Sequence, residues 1–256
     1  MYVIPFLLTL FAGLATSVGA LIAFNKKIPK KILLPISLGL SAGVMIYVSF
    51  VEIFPKAYAS LSVAYEDDVA YLLTTIAFFL GIGLIALIDY LIPSKSNPHE
   101  YNQSSSSEHL MRLGLFSALA IAIHNFPEGL ATFIAAIDDT ALGLSIAIAI
   151  GIHNIPEGIA IAVPVYQATQ SKKKAFWLTF LSGFAEPLGA IIGFILLRNI
   201  LNDTTLGFAF ALVAGIMVYI SIDELLPTAE QYGKHHLSII GVILGMMIMA
   251  LSLILF

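Results

Sequence analysis

Eight separate apolar runs constrain this 256-residue chain more than any other feature. Each is long enough to cross a hydrocarbon core of about 30 Å as an α-helix. They are Val3–Phe24, Ile32–Phe54, Val69–Ile92, Leu110–Ile137, Ala141–Tyr166, Ala175–Leu197, Leu206–Leu226 and Leu237–Phe256. A backbone in lipid must satisfy its own polar groups, so such runs fold as helices. The expected fold class is an all-α membrane protein with eight transmembrane helices. Composition agrees: 59% of residues are hydrophobic and 11% are charged, outside the range of soluble domains. The one long polar stretch, residues 93–109 with its serines Ser104–Ser107, reads as a flexible linker. No polar region is large enough for a second domain, so residues 1–256 read as one transmembrane domain. The first run is too long for a cleaved signal peptide and its lysines follow it, so it is expected to stay as the first span.

Eight spans place both termini on one side, and Lys and Arg decide which side. Of twelve basic residues, ten flank the first, third, fifth and seventh connections, and only Lys56 and Arg198 flank the others. Both termini are therefore expected outside a cell (inner or plasma) membrane, with the 93–109 loop cytoplasmic. The outer connections also carry Glu66, Asp67, Asp68, Asp138, Asp139 and Asp203, either a cation-gathering rim or simply solvated loop residues. His99, His109, His235 and His236 fall in the cytoplasmic connections and read first as solvated. There is no cysteine, which removes disulfides, thiolate zinc sites and Fe–S clusters.

The chain repeats itself. Ala42–Pro55 (AGVMIYVSFVEIFP) and Ala214–Pro227 (AGIMVYISIDELLP) agree at seven of fourteen positions at an offset of 172. Phe11–Phe24 and Leu181–Phe194 agree at six of fourteen at an offset of 170. Spans 1–3 thus resemble spans 6–8 with opposite entry into the membrane, the inverted repeat of transporters. Spans 4 and 5 repeat each other too, AIAIHNFPEGLA from Ala120 against AIGIHNIPEGIA from Ala149. The expected arrangement is 3+2+3, with the antiparallel fourth and fifth spans central.

The doubled HNxPEG carries the chemistry. A charge at the bilayer centre costs about 2.5–3.5 kcal/mol on insertion scales, and Glu128 and Glu157 sit at that depth without a Lys or Arg beside them in any span. The remaining partners are a bound cation or a proton. With about 100° per residue, Glu128 points between His124 and Asn125. It can therefore bridge two ions, and His153, Asn154 and Glu157 repeat the set from the facing helix. Pro127 and Pro156 cannot donate to the carbonyls of Ile123 and Ile152, which leaves those oxygens for ligand or water. The plainer alternative is a polar kink with interhelical hydrogen bonds. Glu186, followed by Pro187, is a further mid-span carboxylate and candidate ligand. Met45 is by itself more often packing than ligand. Glu52, Asp223 and Glu224 lie near opposite ends of the second and seventh spans, placed to guard a pathway's entrance and exit or merely to reach headgroup water.

Together the paired HNFPEG and HNIPEG, the AGVM helix and the eight-span plan resemble the ZIP (Zrt/Irt-like) metal transporters, most of all their bacterial ZupT-type branch, over essentially the whole chain. The resemblance implies uptake of a divalent metal along a path between spans 2, 4, 5, 6 and 7. It further implies one site of His124, Glu128, His153, Glu157 and Met45, and another of Asn125, Glu128, Asn154, Glu157 and Glu186. Alternating access, with spans 1, 4, 5 and 6 sliding against the rest, is likewise implied. Many family members carry a histidine-rich loop after the third span, but here only His99 and His109 stand there.

Mixed imidazole and carboxylate ligands suit Zn²⁺ foremost and also Fe²⁺, Mn²⁺, Co²⁺ and Cd²⁺. The chain is expected to be a secondary transporter without a cofactor, the metal being cargo. Its expected partners are divalent metal ions and the lipid bilayer and not nucleic acid; a homodimer is compatible with the sequence, which leaves the oligomeric state open. The alternative from another class is an intramembrane zinc metalloenzyme, whose H-E-x-x-H motif is replaced here by an Asn after each His. Orientation is directly measurable in this cysteine-free chain. Ser105→Cys is expected to react with an impermeant maleimide only in inside-out vesicles, and labelling from the cell exterior would reverse the assignment.

Overall fold

The computed structural model describes residues 2–25, 29–91, 107–138, 140–197, 202–232 and 235–255. Eight helices in it are long and apolar enough to cross a membrane, and the described residues contain no strand. α1 is Val3–Ala23 and α2 is Lys30–Val48, continued by a π turn at Ser49–Ile53 and by Phe54–Ser62. α3 is Asp67–Leu91, α4 Ser107–Asp138 and α5 Thr140–Thr169. α6 is Lys172–Gly183 and Ala185–Leu197. α7 is Asp203–Ile220, a π turn at Ser221–Leu225 and Leu226–Tyr232, and α8 is His235–Leu255. Of the expected linker at 93–109, α4 takes the part from Ser107 onward and residues 93–106 lie outside the described residues.

Helix ends overrun the apolar runs where polar side chains cap them. Asn202 accepts from the Thr205 amide at 2.9 Å while the Thr205 hydroxyl accepts from the Asn202 amide at 3.0 Å. This reciprocal cap starts α7 at Asp203, ahead of the apolar run from Leu206. Ser171 likewise accepts from the Lys174 amide at 3.3 Å and starts α6 at Lys172.

The two π turns explain how α2 and α7 outlast their prolines. Pro55 and Pro227 have no N–H, and in a regular helix each ring meets the carbonyl four residues back. Widening the turn before it makes room: the Phe54 amide donates to the Ser49 carbonyl and the Leu226 amide to the Ser221 carbonyl. Both turns occupy the same register of the 172-residue repeat. α2 consequently runs on to Ser62, so Lys56 belongs to the helix and not to a connection.

Close packing places α5 at the centre. Its span is 78% buried, against 28% for α3 and for α8, whose outer faces carry Leu72, Phe79, Leu80, Leu84, Ile243 and Met247 toward lipid. Small residues let the inner helices touch. Gly19 of α1 sits on Ile155 and Gly158 of α5, while Gly189 of α6 sits on Phe126 of α4. Gly158 lies against the Thr16 carbonyl and Gly129 against the Glu186 carbonyl. Offsets of 170 and 29 convert one set into the other, and Gly43 on α8 has its repeat mate Gly215 on α3.

Substituting Gly158 tests this packing, since a Cβ there runs into the Thr16 backbone, whereas Gly83 on α3 has open space. Gly158→Val is expected to destabilise the bundle by about 1–3 kcal/mol, read as a lower unfolding midpoint in detergent, with Gly83→Val unchanged.

Candidate metal centre

α4 and α5 carry the two HNxPEG segments and continue unbroken through Pro127 and Pro156. Around them Asn125, Glu128, His153, Asn154, Glu157, Glu186 and Met45 are all withdrawn from solvent, none more than 1% exposed. Three groupings form. His153 Nε2 of α5 stands 3.5 Å from Glu128 Oε2 of α4. The Ser41 hydroxyl of α2 donates to Glu157 Oε1 at 3.1 Å and lies 4.0 Å from the Met45 sulfur. Asn154 donates to the Glu186 carboxylate of α6.

The asparagines are oriented by backbone. Asn154 Nδ2 also donates to the Ala12 carbonyl of α1 at 2.9 Å, and Asn125 Nδ2 donates to the Ser182 carbonyl of α6 at 3.5 Å. Ala12 and Ser182 stand 170 apart, so the two bonds are repeat equivalents. An amide anchored through its NH₂ turns its oxygen elsewhere. Both Oδ1 atoms, both Glu128 oxygens and Glu186 Oε2 are buried and accept no hydrogen bond among the described residues. Carboxylate and amide oxygens of this kind are hard donors.

α6 breaks its helix at Phe184, between Gly183 and Ala185, immediately before Glu186. Pro187 explains the break, because it cannot donate to the Gly183 carbonyl. That carbonyl instead faces Gly13 of α1. The break sets Glu186 at the start of the next helical segment, beside Gly129 of α4.

Among the described residues, which do not include the His124 side chain, no three His, Asp or Glu side chains converge into one coordination group. Glu128 with His153 is the pair brought nearest to that state. Beside it lies a small cavity of about 30 Å³ between α2, α4, α5, α7 and α8. Glu52 and Lys56 line it together with Glu128 and His153, and the rest of its wall is apolar, including Val48, Ile150, Phe210 and Met217. Glu52 is thus joined to the buried pair by one space. Asp223 and Glu224 do not line that cavity; they sit on the α7 π turn, with Glu224 buried.

Sequence reasoning did not single out Ser41, which stands one helical turn before Met45 among small residues. It also overlooked Lys56, because the apolar run ended at Phe54. The available signal for Lys56 was the shared Pro55 and Pro227 register, which announces a continued helix rather than a stop.

The chain matches the family model described as ZIP Zinc transporter over residues 92–253. It is 59% identical over 259 residues to the zinc transporter ZupT of Chlorobaculum parvum, covering 98% of this chain and 97% of that one. To the zinc transporter ZupT of Streptococcus mutans serotype c it is 60% identical over 255 residues, with 98% and 97% covered. To that of Clostridium perfringens it is 54% identical over 271 residues, with 98% and 95% covered.

The Ser41 bond yields a stability test. Ser41→Ala removes a donor from a buried carboxylate and is expected to cost about 1–3 kcal/mol, read by thermal unfolding in detergent. An unchanged midpoint would show that the bond contributes nothing to the resting fold.

Proposed function

This chain belongs to the ZIP zinc transporter family, and from that membership together with the buried donors we propose that it takes up zinc and related divalent metals into the cytoplasm through the α4–α5 centre. It is a transporter and not an enzyme, in keeping with the relatives it matches. The observation that carries the proposal is the Glu128–His153 pair, buried to 1% or less and lining one cavity together with Glu52.

Metal-ligating atoms must be lone-pair donors without competing protons, and the centre supplies imidazole, carboxylate and amide oxygen together. One site takes His124, Glu128, His153, Glu157 and Met45. A second takes Asn125, Glu128, Asn154, Glu157 and Glu186, with the shared carboxylates between. An arriving ion draws the three groupings together: Glu157 gives up its Ser41 bond, and Glu186 exchanges its asparagine donor for metal. Zn²⁺ fits this set best, and Fe²⁺, Mn²⁺, Co²⁺ and Cd²⁺ share its preferences.

An interior-negative membrane favours inward movement by about 2.3 kcal/mol per charge per 100 mV, doubled for a divalent ion. The 3+2+3 arrangement with inverted repeats supplies alternating access. Its support is the repeat-related pairing of α1 with α5 and of α6 with α4, anchored by matching asparagine bonds. Glu52 guards the outer end, and Asp223 and Glu224 guard the inner one, with both termini outside.

Radiolabelled zinc uptake into proteoliposomes decides the matter. His153→Ala and Glu128→Ala are expected to lose at least about 10–100-fold in uptake rate, whereas Glu66→Ala in the outer connection keeps the wild-type rate. Wild-type flux in His153→Ala would sink the assignment of the centre.

A further inference from the structure

A positive side chain stands in the path drawn above. Lys56 lines the same cavity as Glu52, Glu128 and His153. Its ammonium is shielded from solvent and rests 5.5 Å from the centroid of the Phe210 ring on α7, within cation–π range. Its position follows from the fold. The π turn at Ser49–Ile53 carries α2 through Pro55, and a wider turn brings residues four apart, Val48, Glu52 and Lys56, toward one line along the cavity.

Building on the transport reading, we propose that Lys56 is a tethered cation gating the outer mouth, a residue that sets the zinc concentration at which uptake begins. The Lys56 side chain lines the cavity that an entering divalent ion must cross, and its charge competes with that ion for the field of Glu52. Phe210 holds it there by its ring face, while the four-carbon stem lies on the apolar wall. Lysine is suited to such a role, because its long stem lets the charge swing outward when a doubly charged ion arrives. Zinc entry then requires displacing Lys56 toward outer water, and the resting mouth rejects monovalent cations, whose single charge gains less from Glu52.

Two measurements test this on the full-length protein. In proteoliposome uptake, Lys56→Met is expected to lower the half-saturating zinc concentration about three- to tenfold, the size of one fixed charge acting on a divalent ion across several ångströms. Its maximal rate should stay near that of wild type, and Lys56→Arg should keep the wild-type half-saturation. In the second, acetic anhydride labelling of wild-type protein is followed by mass spectrometry, with exposed Lys173 as the internal reference. Saturating zinc is expected to raise Lys56 acetylation severalfold. Unchanged half-saturation in Lys56→Met, or Lys56 labelling that zinc leaves constant or lowers, overturns the gate while wild-type transport stands. Wild-type protein that carries no zinc overturns the transport reading and the gate together.

Discussion

Three carboxylates held in the middle of a hydrocarbon slab are the constraint on which the rest of this structure turns. Glu128, Glu157 and Glu186 are each 1% exposed or less, where an isolated charge is costly. Their visible partners are an imidazole, a hydroxyl and an amide. Each of these offers only a partial positive end or a titratable one. A lysine or arginine at the same depth would have made a stable, inert ion pair. The hard packing around the centre compensates for this softness: glycine contacts press α1 on α5 and α6 on α4, and asparagine amides are fastened to the α1 and α6 backbones.

The repeats supply a nearly symmetric frame, and the chemistry resides in the places where the halves differ. Thr16 stands where α6 has Glu186, and Ser17 where α6 has Pro187. α1 therefore runs through its crossing unbroken, whereas α6 breaks at Phe184 and presents a carboxylate. Met45 lies beside Ser41, which also binds Glu157, while its repeat mate Met217 lines the cavity. Symmetric contacts position two helices equally well on both sides. Unequal side chains then give the centre a donor-rich side facing α6 and a plainer side facing α1.

Much of this was legible in the residues. Apolar runs disclosed all eight spans because lipid leaves the backbone few choices, and the doubled HNxPEG singled out side chains that the fold buries close together. Ser41 was not legible, since a serine among small residues has many uses and only the approach of α2 to α5 shows that it serves Glu157. The asparagines illustrate the same limit: spacing put them near the glutamates, but did not reveal the carbonyls of Ala12 and Ser182 that fix their amide orientation. The ends of α2, α6 and α7 escaped hydropathy because caps and π turns, rather than apolarity, determine them.

The π turns also explain how one repeated sequence yields two different ends. On α2 the turn brings Glu52 and Lys56 to the cavity beside Glu128 and His153. On α7 the equivalent turn buries Glu224 on the opposite side of the membrane and adds Asp223 in place of Val51. The first end thus holds a carboxylate with an ammonium one turn away, and the second holds two adjacent carboxylates. Phe210 meets Lys56 from α7 itself, so the helix bearing the acidic turn also braces the cavity end of α2. One helix therefore touches the cavity at Phe210 and carries the paired carboxylates at its other end, so the two ends of the repeat are linked through the packing of α7.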